Sequence, residues 1–150
     1  MHESLTLTLL NDYTLLFKWR GKAPSKPSVL YSAHYDVVPI NPGTESQWQH
    51  PPFGGVIQDG IIWGRGALDD KSAVIALMES VTLLLEAAYT PEQDIYIAFT
   101  HDEEIGSQYG AKAVSEYVVE QNIKLAWSLD EGSFILDGLV PGSDKRVASI

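Results

Sequence analysis

The sequence contains no cysteine, so disulfide bonds, cysteine-ligated zinc and thiol nucleophiles are all excluded. Long apolar runs are also absent: Val81–Leu85 falls far short of the roughly 18 residues that a membrane span needs. Basic residues are scarce, because ten Lys and Arg face twenty Asp and Glu, which gives a formal net charge of −10. That balance argues against nucleic acid and against an anionic membrane surface, so we expect neither partner.

No basic region followed by an apolar region begins the chain, so no signal peptide is visible. The sequence therefore indicates no compartment, and the cytoplasm is only the default expectation. A length of 150 residues with 45% hydrophobic content is enough for one domain with its own core. Both ends of the chain have the composition of strands without terminal caps, and we expect this chain to be a piece of a longer protein.

Apolar patterning predicts strands that alternate with helices, which is typical of an α/β sandwich with a mixed sheet. The predicted strands are Leu5–Leu10, Tyr13–Trp19, Ser28–His34, Ile95–Thr100 and Leu125–Leu129, with a hairpin over Val56–Trp63 that turns at Asp59-Gly60. The predicted helices are Asp70–Ala88 and Ala111–Gln121. The long segment 35–55 carries Trp48, Phe53 and several prolines, so we expect an ordered, packed loop.

Four polar clusters follow predicted strands or the hairpin: His34-Tyr35-Asp36, Asp69-Asp70, Asp102-Glu103-Glu104 and Asp130-Glu131. In open α/β sheets, ligands bind at the carboxyl ends of the strands. Any one of these clusters alone is more typical of a solvated turn. Because four of them coincide at strand ends in one domain, the sequence predicts a functional site there.

A bound metal explains this concentration of acidic groups. Crowded carboxylates repel one another, and their pKa values rise unless a cation neutralises them. Imidazole and carboxylate ligands without thiolate suit zinc, manganese or cobalt. Calcium is the alternative metal, but His34 argues against it because calcium prefers oxygen ligands, and no EF-hand spacing is present.

Several residues in these clusters have predictable roles. His34 and Asp36 lie two apart on a strand and share a face, so one can bind metal while the other orients it. Glu103 and Glu104 are adjacent and point in different directions, so one can bind metal while the other acts as a general base. Gly64-Arg65-Gly66 lacks the end of a phosphate-binding loop, and its glycines more plausibly permit close backbone approach to the metal site.

The clusters and their surroundings form longer motifs. These are Ser32–Pro39, then Trp48 with Pro51–Gly55, then Asp59–Lys71, Asp102–Gly106 and Leu129–Gly132. In order and spacing they resemble the co-catalytic zinc exopeptidases that include aminoacylase, carboxypeptidase S and succinyl-diaminopimelate desuccinylase. Within that family, the sequence is most similar to carboxypeptidase S and the related N-acyl-amino-acid hydrolases.

The resemblance implies a mixed-sheet α/β/α sandwich of the zinc exopeptidase (phosphorylase/hydrolase-like) type. Residues 1–145 would be the N-terminal part of an incomplete catalytic domain, and residues 146–150 the start of a dimerisation (lid) domain. It further implies an initial helix upstream, a zinc-ligand histidine far downstream and a homodimer for the full-length protein. We therefore expect this chain to lack one zinc ligand, to bind metal weakly and to turn over slowly or not at all.

The resemblance also implies site residues. Two zinc ions would be held by His34, Asp69, Glu104 and Asp130, with Asp69 bridging both; cobalt or manganese are possible substitutes. Glu131 stays open as the alternative to Asp130. The resemblance further implies a cis peptide bond between Asp69 and Asp70.

The catalytic residues that the resemblance implies are Glu103, as general base and acid, and Asp36, which would support the metal site. The implied reaction is metal-assisted hydrolysis of an amide bond in a small peptide or an N-acyl amino acid with a free carboxylate. The alternative function is that of a noncatalytic scaffold or binding module that retains the peptidase fold.

Overall fold

The computed structural model describes residues 3–132, 135–136, 142 and 145–148. Its strands are β1 (Leu5–Leu10), β2 (Thr14–Trp19), β3 (Ser28–His34), β4 (Val56–Gln58), β5 (Ile61–Trp63), β6 (Ile95–Thr100), β7 (Leu125–Leu129), β8 (Ile135–Leu136) and β9 (Val147–Ala148). Its helices are α1 (Lys71–Glu86) and α2 (Ala111–Glu120), with short 3₁₀ turns at Glu45–Gln47 and Glu103–Ile105.

Five strands form one mixed sheet in the order β1-β2-β6-β3-β7. The pairs β1–β2 and β2–β6 are antiparallel, whereas β3 pairs in parallel with both β6 and β7. The predicted mixed sheet is therefore confirmed. Its parallel half brings the carboxyl ends of three strands to one edge, which positions the site described below.

The two helices pack on opposite faces of this sheet. On one face, Val114 of α2 packs with Leu16, Leu30 and Ala98. On the other face, Val74, Leu77 and Val81 of α1 pack against the side chains of Ala33, Ile97 and Phe99. Residues 97 and 98 are neighbours on β6 and belong to different clusters because successive strand residues point to opposite faces. The result is the predicted α/β/α arrangement of layers.

Four predicted boundaries differ from the observed ones. Helix α1 begins at Lys71 rather than Asp70, and α2 ends at Glu120 rather than Gln121. Strand β2 begins at Thr14 rather than Tyr13, because Asn11 and Asp12 adopt left-handed φ values of 47° and 64° and the Tyr13 amide donates back to the Leu10 carbonyl. Helix α1 ends at Glu86 rather than Ala88, since Ala88 has a φ of 54°. In the part of the chain that the structure describes, no helix is long and apolar enough to cross a membrane.

The hairpin and the chain end form separate small sheets. Strands β4 and β5 pair around Asp59 and Gly60, whose φ values of 54° and 76° confirm the predicted tight turn. Strands β8 and β9 pair with each other. The predicted lid domain over residues 146–150 is described only at residues 146–148, and residues 149–150 lie outside the described part, so this assignment stays a prediction.

The opposite end of the sheet is closed by a buried carboxylate. Asp94 is 4% exposed, accepts a hydrogen bond from the Gly21 amide at 2.8 Å and pairs with the Lys18 ammonium at 2.8 Å. Gly21 lies so close to the residues before Asp94 that a Cβ on Gly21 would be 2.3 Å from the Gln93 carbonyl carbon. The fold therefore requires the absence of a side chain at position 21.

Replacing Gly21 by alanine should destabilise the protein. The added methyl group must displace backbone atoms of residue 93, and overpacking of this kind costs about 1–3 kcal/mol of unfolding free energy. Urea unfolding followed by circular dichroism measures the change. Gly132→Ala is the matched control, because nothing lies within 4 Å of a Cβ at that position. Equal midpoints for the two variants would contradict the close approach.

Candidate metal centre

The parallel strands bring three of the predicted clusters together. His34 ends β3 and lies opposite Thr100, which ends β6. On the other side of β3, Tyr31 lies opposite Leu129, the last residue of β7. The residues that follow these strand ends therefore lie next to one another at one edge of the sheet, as predicted for a ligand site.

The imidazole of His34 is the centre of this edge. The side chain is 2% exposed. Its Nε2 atom lies 2.8 Å from Asp69 Oδ1, 3.7 Å from Glu131 Oε1 and 3.8 Å from Glu103 Oε2. Three carboxylates from three separate segments of the chain thus face one ring nitrogen.

The other ring nitrogen of His34 faces Asp36. Nδ1 of His34 lies 3.3 Å from Oδ1 of Asp36, and both atoms are buried without a hydrogen-bond partner among the described residues. The second oxygen of Asp36 accepts a hydrogen bond from the Glu104 amide at 3.1 Å. Asp36 therefore contacts both the histidine and the turn that carries Glu103 and Glu104, which is the geometry expected of an orienting residue.

Adjacent carboxylates in this site point in different directions. Asp69 is largely exposed and faces the His34 ring, whereas buried Asp70 accepts a long hydrogen bond of 3.4 Å from the His34 amide. The implied cis peptide bond between Asp69 and Asp70 is present. Glu103 faces His34, while Glu104 Oε1 accepts a hydrogen bond from the Val38 amide at 3.2 Å. The two glutamates are therefore suited to two different roles.

Asp102 belongs to a predicted cluster but lies away from His34. It is 3% exposed, and its Oδ2 accepts a hydrogen bond from the Tyr109 amide at 2.7 Å. A Cβ on Gly110 would lie 2.3 Å from Oδ1 of Asp102. Asp102 thus organises the turn before α2. His101 likewise has a structural contact, because its Nδ1 lies 2.8 Å from the Thr14 hydroxyl.

Asp130 and Glu131 differ in their positions. Oδ1 of Asp130 accepts a hydrogen bond from the Glu131 amide at 2.9 Å. The potential ligand atoms of His34, Asp69 and Glu131 all lie within 4.8 Å of one another, and Asp130 is not a member of that group. The geometry therefore favours Glu131, which the sequence left open, over Asp130 as the carboxylate beside His34.

Burial and mutual repulsion raise the proton affinity of this site. Loss of hydration raises the pKa of Glu103, Glu131 and Asp70, and neighbouring carboxylates add to it. For His34, burial by itself lowers the pKa, but the hydrogen bond to Asp69 and the charges of the surrounding acids outweigh it, so the pKa is raised. A nearby positive charge would stabilise the ionised form of each of these carboxyl groups.

The residues present fit a divalent metal ion. His34, Asp69 and Glu131 combine one imidazole nitrogen with carboxylate oxygens, which is a donor set that suits zinc and similar ions. A cation among them would neutralise the mutual repulsion that raises the pKa values of the acids. The predicted ligand Glu104 lies to the side, where it lines one pocket together with Asp69.

Two pockets flank Asp69. One, of about 590 Å³, is lined by apolar residues such as Leu68, Leu77 and Leu129 and by the carboxylates of Asp69, Asp70, Asp130 and Glu131. The other, of about 240 Å³, is lined by Val37, Val38, Trp48, Arg65, Glu104 and neighbouring residues. In its wall, Gly66 has a φ of 79°, and a Cβ there would lie 2.8 Å from Val37 Cγ1, so the predicted close backbone approach occurs here.

Arg65 is the residue of this region that sequence reasoning missed. Its glycine neighbours were predicted to permit close backbone approach, whereas no role was predicted for the arginine. The available signal was a basic residue inside an acidic set of motifs, next to the hairpin and preceding Asp69-Asp70. Its contact with Trp48 joins segments far apart in sequence, and only the folded chain reveals it.

The groups of this site should make the metal-free chain lose stability as the pH rises above about 4, with a further loss from His34 above about 6.5. His34, Glu103, Glu131 and Asp70 all have raised pKa values, so each binds its proton more tightly in the folded state. The stabilisation is complete below the unfolded-state pKa and is lost as the pH passes the folded-state value. For the carboxyl groups this loss begins above about pH 4, and for His34 above about pH 6.5.

Urea unfolding in a chelating buffer at several pH values measures this slope. His34→Gln is the informative control, because it removes the histidine contribution and should flatten the decline above pH of about 6.5. Stability that increases over this range in the unmodified chain would contradict the description of the site.

Comparison with known proteins relates this geometry to curated relatives. The N-fatty-acyl-amino acid synthase/hydrolase PM20D1 of Mus musculus is 42% identical over 150 residues, covering 99% of this chain and 29% of that protein. Probable carboxypeptidase S-like 2 of Dictyostelium discoideum is 40% identical over 152 residues, covering 100% of this chain and 29% of that protein. The chain thus spans about 29% of the length of these relatives.

Solved structures have the same fold. The M20 family metallo-carboxypeptidase Sso-CP2 from Sulfolobus solfataricus superposes with a TM-score of 0.67 at 25% identity, over 86% of this chain and 28% of that one. Human carnosine dipeptidase 1 gives a TM-score of 0.64 at 25% identity, over 81% and 26% of the two chains. Residues 30–142, well over half of the sequence, match peptidase family M20/M25/M40. The chain belongs to this family of metallopeptidases.

Proposed function

We propose that this chain forms part of a metal-dependent hydrolase that cleaves the amide bond of an N-acyl amino acid or small peptide with a free carboxylate. The observation that carries the proposal is the buried His34 ring, with Asp69, Glu131 and Glu103 at one nitrogen and Asp36 at the other. Membership of peptidase family M20/M25/M40 supports hydrolysis of an amide bond.

We propose that two zinc ions, or cobalt or manganese, bind here. His34 and Asp69 would hold one ion together with Glu131 or Asp130, and Asp69 and Glu104 would contribute to the second. A divalent metal held by these side chains supplies Lewis acidity, which activates water and polarises an amide carbonyl. Since the resemblance implies a further histidine ligand outside this chain, we expect the 150 residues alone to bind metal weakly and to turn over slowly or not at all.

Glu103 is the proposed general base and acid. Burial raises the pKa of its carboxyl group, which brings it closer to the value that favours proton transfer near neutral pH. In the proposed reaction Glu103 accepts a proton from the attacking water and later delivers it to the leaving nitrogen. Asp36 contacts the His34 ring through one carboxylate oxygen and the turn that carries Glu103 through the other, which positions both relative to each other.

The apolar residues of the larger pocket are suited to an acyl chain of the substrate. This pocket has a volume of about 590 Å³, and Leu68, Leu77 and Leu129 line it next to Asp69 and Glu131. An alkyl chain would gain by leaving water there. The relative from Mus musculus is named an N-fatty-acyl-amino acid synthase/hydrolase, which supports the same substrate class.

Two further proposals rest on the resemblance. The full-length protein would form a homodimer through a lid domain that begins near residue 146.

The alternative function, a noncatalytic scaffold that retains the fold, predicts that zinc-loaded protein binds the same ligands without hydrolysing them. Any hydrolysis by this chain that depends on Glu103 would exclude the scaffold.

Variants of the two neighbouring carboxylates test the ligand set. Glu131→Gln should reduce zinc affinity strongly, because it removes a carboxylate from the group around His34, whereas Asp130→Asn should have the smaller effect. Zinc content after loading and desalting, measured by elemental mass spectrometry, provides the comparison, with Asp69→Ala as the reference for a lost site. The reverse order would assign the ligand to Asp130.

Replacement of Glu103 by glutamine tests the catalytic proposal. The amide keeps the shape of the side chain but removes the base, so we expect kcat for an N-acyl amino acid to fall by about 10²–10⁴-fold. Zinc content should remain unchanged, which separates a catalytic defect from loss of metal. Activity equal to that of the unmodified protein would exclude Glu103 as the base.

A further inference from the structure

Tyr35 lies between two residues of the candidate metal centre, and other segments of the chain hold its polar groups. Its amide donates a hydrogen bond of 3.0 Å to the Thr100 carbonyl at the end of β6. Its hydroxyl donates one of 2.8 Å to the Tyr13 carbonyl. Because Tyr35 separates His34 from Asp36 in the chain, the position of its backbone determines where the imidazole and the orienting carboxylate lie.

The carbonyl of Tyr35 accepts a hydrogen bond from the ammonium group of Lys71. The distance from Lys71 Nζ to this oxygen is 2.7 Å, which is typical of a strong hydrogen bond from a charged donor. Lys71 is the first residue of α1 and directly follows Asp69 and Asp70. Its side chain therefore joins the segment that carries Asp69 to the segment that carries His34.

The hydrocarbon part of the Lys71 side chain packs on the glycine turn that precedes Asp69. The Lys71 amide donates a hydrogen bond of 3.0 Å to the Gly66 carbonyl. A Cβ on Gly66 would lie 3.0 Å from Lys71 Cδ and 2.8 Å from Val37 Cγ1, so both side chains approach this glycine closely. This packing restricts the long side chain and directs its ammonium group at a single acceptor.

The other contacts between the two segments are less suited to holding a metal site open. Nε2 of His34 lies 2.8 Å from Oδ1 of Asp69, but these are the atoms that a bound ion would use. The hydrogen bond from the His34 amide to Asp70 is long, at 3.4 Å. The contact of Lys71 with Tyr35 is short and leaves the ligand atoms free.

We propose that Lys71 is a positioning residue that holds Asp69 at the distance from His34 and Asp36 that a metal ion requires. The inference rests on the proposed metal centre and adds a residue that touches neither the ion nor the substrate. Functional side chains must be held to within about 0.5 Å of their productive geometry. A short hydrogen bond between the two segments that supply them meets this requirement.

Zinc binding by Lys71→Met tests this role. Methionine keeps an unbranched apolar side chain but removes the charge and the donor. We expect the dissociation constant for zinc, measured by equilibrium dialysis, to rise about 10–100-fold, as is typical when a residue behind the metal ligands is replaced. A purely electrostatic role predicts the opposite sign, because removing a nearby cation should tighten zinc binding. Lys71→Arg keeps a charged donor and should restore part of the affinity.

Amide hydrogen exchange, followed by NMR in a chelating buffer, tests the same contact without metal. In Lys71→Met, the Tyr35 amide should exchange about tenfold or more faster, because its carbonyl is no longer held. The Ala98 amide should exchange at an unchanged rate, since Ala98 is fully buried in β6 at the centre of the sheet. Equal acceleration at both positions would indicate loss of global stability and would overturn the proposal.

Lys112→Met is the matched control, because it makes the same substitution on α2, where Lys112 pairs at 3.9 Å with Glu116. It should change neither zinc affinity nor Tyr35 exchange. Zinc binding by Lys71→Met that is as tight as in the unmodified chain, or tighter, would overturn the proposal.

A chain that binds no zinc even when unmodified would contradict the proposed metal site. Faster Tyr35 exchange in Lys71→Met would then still support Lys71 as the residue that holds this strand end. Unchanged Tyr35 exchange would overturn the role of Lys71 whether or not zinc binds. The two measurements thus separate failure of the metal site from failure of this inference.

Discussion

The buried imidazole of His34 is the constraint on which the rest of the site depends. A ring that is 2% exposed must satisfy both nitrogens inside the protein, and here both face carboxylates. Asp36 on one side fixes the ring and also binds the Glu104 amide, so the histidine and the glutamate turn are held by the same side chain. Asp70 meets the backbone of the same histidine. The positions of Asp69, Glu131 and the turn that carries Glu104 are thus coupled to this one side chain.

The acidic character of the site is a consequence of sheet topology. Parallel strands β3, β6 and β7 end at the same edge, so the polar residues after each strand come together although they are far apart in sequence. Their repulsion raises the pKa values of Glu103 and Glu131 and creates the demand for a cation. The same repulsion makes Arg65 distinctive, because it is the one basic side chain described in the adjoining pocket.

The layers were predictable because local signals and packing agree. Apolar residues at every second position located the strands, and apolar residues at helical spacing located both helices. Packing on the two faces of the sheet requires those patterns. The predicted boundaries at Tyr13 and Ala88 were wrong because of left-handed backbone. At Asn11 and Asp12 it delays the start of β2, and at Ala88 it ends α1 earlier than the apolar pattern predicts. Such backbone states depend on the turn hydrogen bonds that form in the folded chain, and residue type only weakly predicts them.

By itself, the sequence determined the α/β class, the mixed sheet, the four acidic clusters and the family to which they belong. Each of these depends on residue type and on spacing along the chain. The tertiary structure decided which members of the clusters meet: Glu131 faces His34, whereas Asp102 turns away to the Tyr109 amide. It also brought Arg65 onto Trp48. The contacts of Glu131 with His34 and of Arg65 with Trp48 join segments that are distant in sequence. The direction of a side chain after a strand end, such as that of Asp102, is set by local turns and packing that spacing does not encode.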